Sequence, residues 1–339
     1  MSTPRRVISS RPAGARAAGP LRAVAASRAS SGLPGVALLA AVLAGAVGAQ
    51  AVPVPELRSA GSEAPWMAII QPGYPGSTQD AEGHVRRLTS YLGAKARLPG
   101  LTGAYYNVPA AAAAALDERP ASFGIVSLGF FLENRDSRGL IPALEVLPEA
   151  PFYLLGRSGA APDEAGSLAG AEVTGGPLHE AEFLRRVVFR DLPGVGEWKA
   201  VPALRVTRAL RRLEQGAHRA AVVSGGDYEA LEKLGRLEGL RVLRRSERYP
   251  TALVVAFGAP RVESATDGGD GSGTDVKAKA NAARELAVRL AAVFLEMARD
   301  REGKEILDTL GCGGFRPVRV EWLEKLERTY DARDEEAKK

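Results

Sequence analysis

Short apolar runs that stop at a glycine- or proline-bearing loop and then give way to a helical stretch recur along most of this chain. That rhythm limits the fold more than any composition figure, because strand, crossover helix and strand is the unit of a parallel sheet. Trp66-Met67-Ala68-Ile69-Ile70 ends at Gln71-Pro72-Gly73-Tyr74-Pro75-Gly76. Asp80 precedes a helical stretch that sets Val85, Leu88 and Leu92 on one face and closes at Gly93. Tyr105 and Tyr106 open a second passage into the run Ala110 to Ala115, whose helix propensity is stopped by Pro120. Ser122-Phe123-Gly124-Ile125-Val126-Ser127 is a third strand, ending in Leu128-Gly129-Phe130.

A second, smaller set of about ninety residues follows the same logic. Phe152 to Gly156 reads as a strand, Ser167-Leu168-Ala169-Gly170 as a turn, and Ala171 to Thr174 as a strand ending on Gly175-Gly176-Pro177. A helix with Phe183 and Val187 inward comes next. Strands near Trp198 to Val201, Ala220 to Val223 and Leu240 to Leu243 alternate with helices around Leu210 and from Asp227 to Leu234. Thr251 to Phe257 is an apolar strand that returns to the first set. A Gly/Asp/Ser-rich loop at 263–275 leads into a long helix with Leu286, Leu290, Val293, Phe294 and Met297 on one stripe. A closing helix begins near Glu321. The pattern predicts an α/β chain of two βαβ lobes, lobe one from 64–159 and 249–330 and lobe two from 160–248. Crossing segments fall near 157–161 and 247–251, and a charged, frayed tail at 331–339.

The net charge of +5 suggests a nucleic-acid partner only until the charges are located. Residues 1–51 hold six arginines and no acid, and removing those six leaves a body of −1. The basicity belongs to the leader, and the body has no clustered basic face for a phosphate backbone. The apolar run Leu33 to Ala49 and the small-residue site Ala49-Gln50-Ala51 complete a secretory signal, cleaved after Ala51 and followed by a spacer at 52–63. The single cysteine, Cys312, permits no internal disulfide and no cysteine-based zinc site. Three scattered histidines do not suggest a metal centre, and no cofactor is implied.

The order of landmarks resembles the phosphate/phosphite/phosphonate-binding proteins of ABC uptake systems, in the type 2 periplasmic-binding-protein fold. The residues that carry it are Ala121 to Gly129, Ser167-Leu168-Ala169-Gly170 (the family's "SLKG" turn), Ala220 to Tyr228, Leu240 to Pro250, and Gly311 to Val318 (its "GFxPV" segment). Together they span most of residues 64–325. The resemblance implies a periplasmic, monomeric binder of a small anionic solute that docks on an inner-membrane ABC permease. A ligand-sensing periplasmic subunit on the same fold is the alternative. After the "SLKG" strand that family carries a Ser/Thr-Ser-Gly run that holds phosphonate oxygens; here Thr174-Gly175-Gly176-Pro177-Leu178-His179 stands in its place, with Thr174 its only hydroxyl.

In open α/β sheets ligands lie beyond the carboxyl ends of strands, so the candidate ligand contacts are loop residues. Gln71 and Tyr74 end the first strand. Tyr106 and Asn107 stand before the alanine helix, Asn107 being equally an N-cap. Ser127 and Gly129 follow the third strand. In lobe two the candidates are Thr174, Gly175, Gly176 and His179, where a helix start offers free N–H groups to an anion, then Ser224 and Asp227, the latter also a cap. No nucleophile-elbow sequence joins a strand to a helix, so the chain reads as a binder and not an enzyme.

Overall fold

The structure, a computed structural model, describes residues 64–73, 78–159, 168–259 and 272–337. The leader, the spacer, Tyr74 and the loop through residue 271 lie outside them. Strands β1 (Trp66–Ile70), β2 (Thr102–Tyr106) and β3 (Phe123–Val126) run parallel, joined by helices α1 (Thr78–Lys95) and α2 (Pro109–Glu118). Every residue of β1 and β3 is buried, the signature of strands covered on both faces. Trp66, Ala68 and Ile70 pack with Ala112 and Leu116 of α2 and with Phe130 and Phe131 of α3 (Leu128–Asn134). Met67 and Ile69 point the other way, against Val85, Leu88 and Leu92 of α1.

The remaining strands of this sheet are antiparallel: β4 (Leu140–Leu147), β10 (Leu253–Phe257) and β11 (Gly314–Pro317), in the order β11-β4-β10-β3-β1-β2. The second sheet has the order β7-β6-β8-β5-β9. Its parallel trio is β6 (Glu172–Gly175), β7 (Lys199–Pro202) and β8 (Ala220–Ser224), and β5 (Glu149–Arg157) and β9 (Leu240–Pro250) run against it. Helices α4 (Val206–Glu214) and α5 (Gly225–Lys233) cover one face, with Leu210, Leu213 and Leu231 packed on Leu155, Ala221 and Val223. Both lobes belong to one compact unit, Gly61–Lys339.

Two departures from the expected pattern matter. The first crossing lies at Pro148, between β4 and β5, and not at 157–161; β5 pairs with β8 and β9 and is a lobe-two strand. The second lies at 251–252, between β9 and β10, beside the expected 247–251. The consecutive strands β4–β5 and β9–β10 are thus two extended ribbons that pass from one lobe to the other. The helix expected after Gly175 is instead a 3-10 turn (Gly176–Glu180), one α-turn (Ala181–Phe183) and a π-turn (Leu184–Val188), although Phe183 and Val187 are buried as expected.

The crossing is anchored by charge. Glu145 of β4 is 0% exposed and accepts from Arg316 Nε at 2.7 Å and from the Arg319 N–H at 2.9 Å. Burial alone would raise its pKa, but Arg319 and Arg316 outweigh that and hold the carboxyl below its ordinary range. Arg316 also reaches Glu149 at 2.5 Å, so one guanidinium bridges both sides of Pro148. After α6 (Ser272–Met297) and α7 (Arg301–Thr309), helix α8 (Val320–Ala337) touches both lobes. Asp331 pairs with Arg135 at 2.5 Å, and Arg186 of lobe two lies 5.0 Å from the Tyr330 ring. Residues 331–337 of the expected frayed tail continue this helix.

Candidate functional site

Between the two sheets, beyond the carboxyl ends of β1, β3 and β8, lies a cleft of ≈ 390 Å³. Lobe one contributes Pro72, Gly73, Ser127 and Leu128; lobe two contributes Pro177, Glu180, Phe183 and Ser224 to Asp227; the crossing ribbons supply Pro148 to Phe152 and Arg248 to Thr251. The lobes meet at their backbones. Gly73 has φ +77, and a Cβ there would stand 2.0 Å from the Gly176 carbonyl oxygen, so neither lobe could approach this closely with a larger residue at that position.

Ser127 caps α3: its Oγ accepts from the Phe130 N–H at 3.4 Å. The same hydroxyl donates to Glu180 Oε1 of lobe two, and Phe130 N–H donates to that oxygen at 2.8 Å. Gly129 leaves the room this requires, since a Cβ there would lie 2.7 Å from the Glu180 carboxyl carbon. Burial pushes the Glu180 carboxyl up to about 7; the Ser127 and Phe130 hydrogen bonds oppose the rise and the nearby Glu133 adds to it. On the opposite wall Ser224 caps α5, accepting from the Asp227 N–H at 3.2 Å and donating to Asp227 Oδ2 at 2.8 Å, a reciprocal cap built from a Ser-x-x-Asp sequence. Phe183 stands edge-on to Phe152 at 6.0 Å and to Tyr249 at 5.8 Å, giving the cleft an aromatic wall. Burial pushes the Tyr249 phenol up to about 12, with Glu247 adding to it, so it stays a neutral donor.

Of the candidates read from sequence, the cleft brings together Ser127, Ser224 and Asp227. Gly129 lies just beneath, buried in α3. Gln71 gives its N–H to the Tyr106 carbonyl at 2.9 Å, and neither residue lines the cleft. Asn107 is not the N-cap of α2; Val108 is, and the Asn107 carbonyl accepts from Gly73 N–H at 3.1 Å. Thr174 is wholly buried, its hydroxyl donating to the Val201 carbonyl at 3.0 Å across the β6–β7 pair. Gly175 presses on the Val222 carbonyl and Gly176 on Gly73, both backbone packing positions. His179 is half-buried away from the cleft lining, and burial lowers its imidazole's affinity for a proton. Tyr74 lies outside the described residues. Sequence reading missed Glu180, Phe152, Phe183 and Tyr249.

Residues 199–323 match the ABC-transporter phosphonate periplasmic substrate-binding protein family. That stretch, somewhat over a third of the chain, is what is similar to the phosphonate-type substrate-binding proteins. No curated protein matches the sequence. Among solved structures, a Xanthomonas citri protein bound to ATP superposes with a TM-score of 0.57 at 15% identity, covering 80% of this chain and 98% of its own. PhnD1 from Prochlorococcus marinus in complex with methylphosphonate gives 0.52 at 12% identity, covering 79% and 98%. The binding protein component of an ABC phosphonate transporter from Pseudomonas aeruginosa gives 0.50 at 12% identity, covering 79% and 88%. At these identities the solved structures show the two-lobed fold alone, and the sequence match covers β7 through most of the first turn of α8. Among the described residues no helix is long and apolar enough to cross a membrane.

Proposed function

We propose that the chain is the periplasmic solute-binding component of an ABC uptake system and holds a small oxyanion (a phosphonate, phosphite or phosphate) in the inter-lobe cleft. The observation that carries this reading is the convergence on one ≈ 390 Å³ cleft of strand-end loops from both sheets, each presenting a capping serine, Ser127 and Ser224. A solute touching both walls favours the closed arrangement by its differential contacts, and the two ribbons at Pro148 and 251–252 are where the lobes would hinge. The protein acts as a monomer, leaves nucleic acid alone and delivers its solute to an inner-membrane permease. Binding without turnover fits the chemistry of the cleft: its two serines are bonded to carboxylates, Glu180 and Asp227, and not to a histidine base. The Cys312 thiol, pushed up by burial, bonds the Gly314 carbonyl away from the cleft.

A thermal-shift series on the full chain with millimolar methylphosphonate, phosphite and phosphate tests the reading. At least one of them should raise the melting temperature in a concentration-dependent way. If none does, while a cationic or neutral solute does, the oxyanion assignment is wrong.

A further inference from the structure

We propose that Glu180 determines the specificity of this cleft: its carboxylate occupies the lobe-one donors, the Ser127 hydroxyl and the Phe130 N–H, so that an anionic solute binds there only by displacing it. The proposal deepens the reading of the cleft as the ligand site and rests on it. The two donors converge on a single oxygen, Glu180 Oε1, and an incoming oxyanion needs the same two hydrogens. Bonds from such donors to a charged carboxylate are about twice as strong as neutral ones, which makes the resident group a competent competitor. Gly129 matches it sterically, because any Cβ there would run into the carboxyl.

Three of the other charged groups lining the cleft have contacts of their own, and Glu229 also lines it. Glu149 pairs with Arg316 and Arg319, Asp227 with Ser224, and Arg248 donates to the Glu149 carbonyl. Glu180 is therefore the carboxylate that holds the lobe-one donors, as Asp227 holds the Ser224 hydroxyl of lobe two. The turn at 174–179 does not make up the loss, since Thr174, the one hydroxyl between residues 174 and 179, is spent on Val201.

Isothermal titration of the full chain with methylphosphonate and with inorganic phosphate at pH 8 should compare the wild type with Glu180→Ala and Glu180→Gln. The alanine variant should bind at least about tenfold more tightly than wild type. Glutamine, uncharged but still able to accept both hydrogen bonds, should fall between. Equal affinity in wild type and Glu180→Ala overturns the proposal and leaves the cleft reading standing. Weaker binding by both variants, each with a cooperative melt, also overturns it, because the carboxylate would then be helping the ligand. If neither probe binds wild type or either variant, the proposal and the oxyanion reading fail together.

Discussion

The raised proton affinity of Glu180 makes the stability of this chain depend on pH in a direction that can be worked out beforehand. Burial lifts the carboxyl from 4.5 to about 7 in the folded chain. Between those values the folded state holds a proton that the unfolded state has released, so stability is greatest below pH 4.5 and falls as pH rises through 7. At about 1.4 kcal/mol per unit, the contribution lost is about 3 kcal/mol. The His179 imidazole, whose proton affinity burial lowers, works oppositely as pH falls through its range. Glu133, Glu149, Asp227, Glu229, Arg248 and Tyr249 also face this region, so the wild-type curve alone would not isolate Glu180. Comparison with Glu180→Gln separates them, because the amide keeps the shape and the acceptor oxygen but not the ionisation. Urea unfolding of both proteins at pH 4.5, 6 and 8 should show the stability difference, wild type minus variant, dropping by about 3 kcal/mol from the acid to the alkaline end. A difference that is flat across this range, or that grows with pH, would refute the reasoning.

Three further outcomes follow from particular contacts. Glu145→Gln should cost about 2–3 kcal/mol, less than the penalty for breaking a fully buried pair because Arg316 and Arg319 are 31% and 41% exposed; a loss under about 0.5 kcal/mol in urea unfolding would mean the crossing is not anchored there. Phe183→Ala removes a side chain 3% exposed and two edge-on aromatic contacts, and should cost about 3–4 kcal/mol in the same assay. Gly73→Ala should drive the lobes apart, read by small-angle X-ray scattering as a larger radius of gyration than wild type, since its Cβ would collide with the Gly176 carbonyl; an unchanged radius would show that this backbone contact does not govern closure.

How far the fold could be read from sequence depended on burial. β1, β3 and β8 are apolar runs buried at nearly every position, and they stand out against polar loops. β4 and β5 mix buried with half-buried residues in no regular order and meet with only Pro148 between them. A single proline inside one extended ribbon looks like a loop within a lobe, which is why the crossing was expected some ten residues late. The site was harder for a different reason. Ser127 and Ser224 were legible because a hydroxyl after an apolar strand and before a helix is a local pattern. Glu180 was not, because its partners lie 53 and 50 residues away on the other lobe and no spacing encodes that meeting.

The Gly175-Gly176-Pro177 turn and the Glu180 carboxylate that meets the Ser127 hydroxyl lie in one short stretch of lobe two. With Thr174 turned inward and Gly176 against Gly73, this turn of lobe two offers protein backbone, and then a carboxylate, where a ligand-holding loop would offer hydroxyls. The closed arrangement is consequently supported by contacts the chain makes with itself. A solute can shift the lobe equilibrium only by its differential affinity for the closed state. Wherever Glu180 already supplies the bridge between Ser127 and lobe two, a ligand gains only the difference between its own contacts and those it displaces. On the proposed reading, affinity for an anion in this cleft is governed as much by the charge state of one internal carboxylate as by the groups that would hold the ligand.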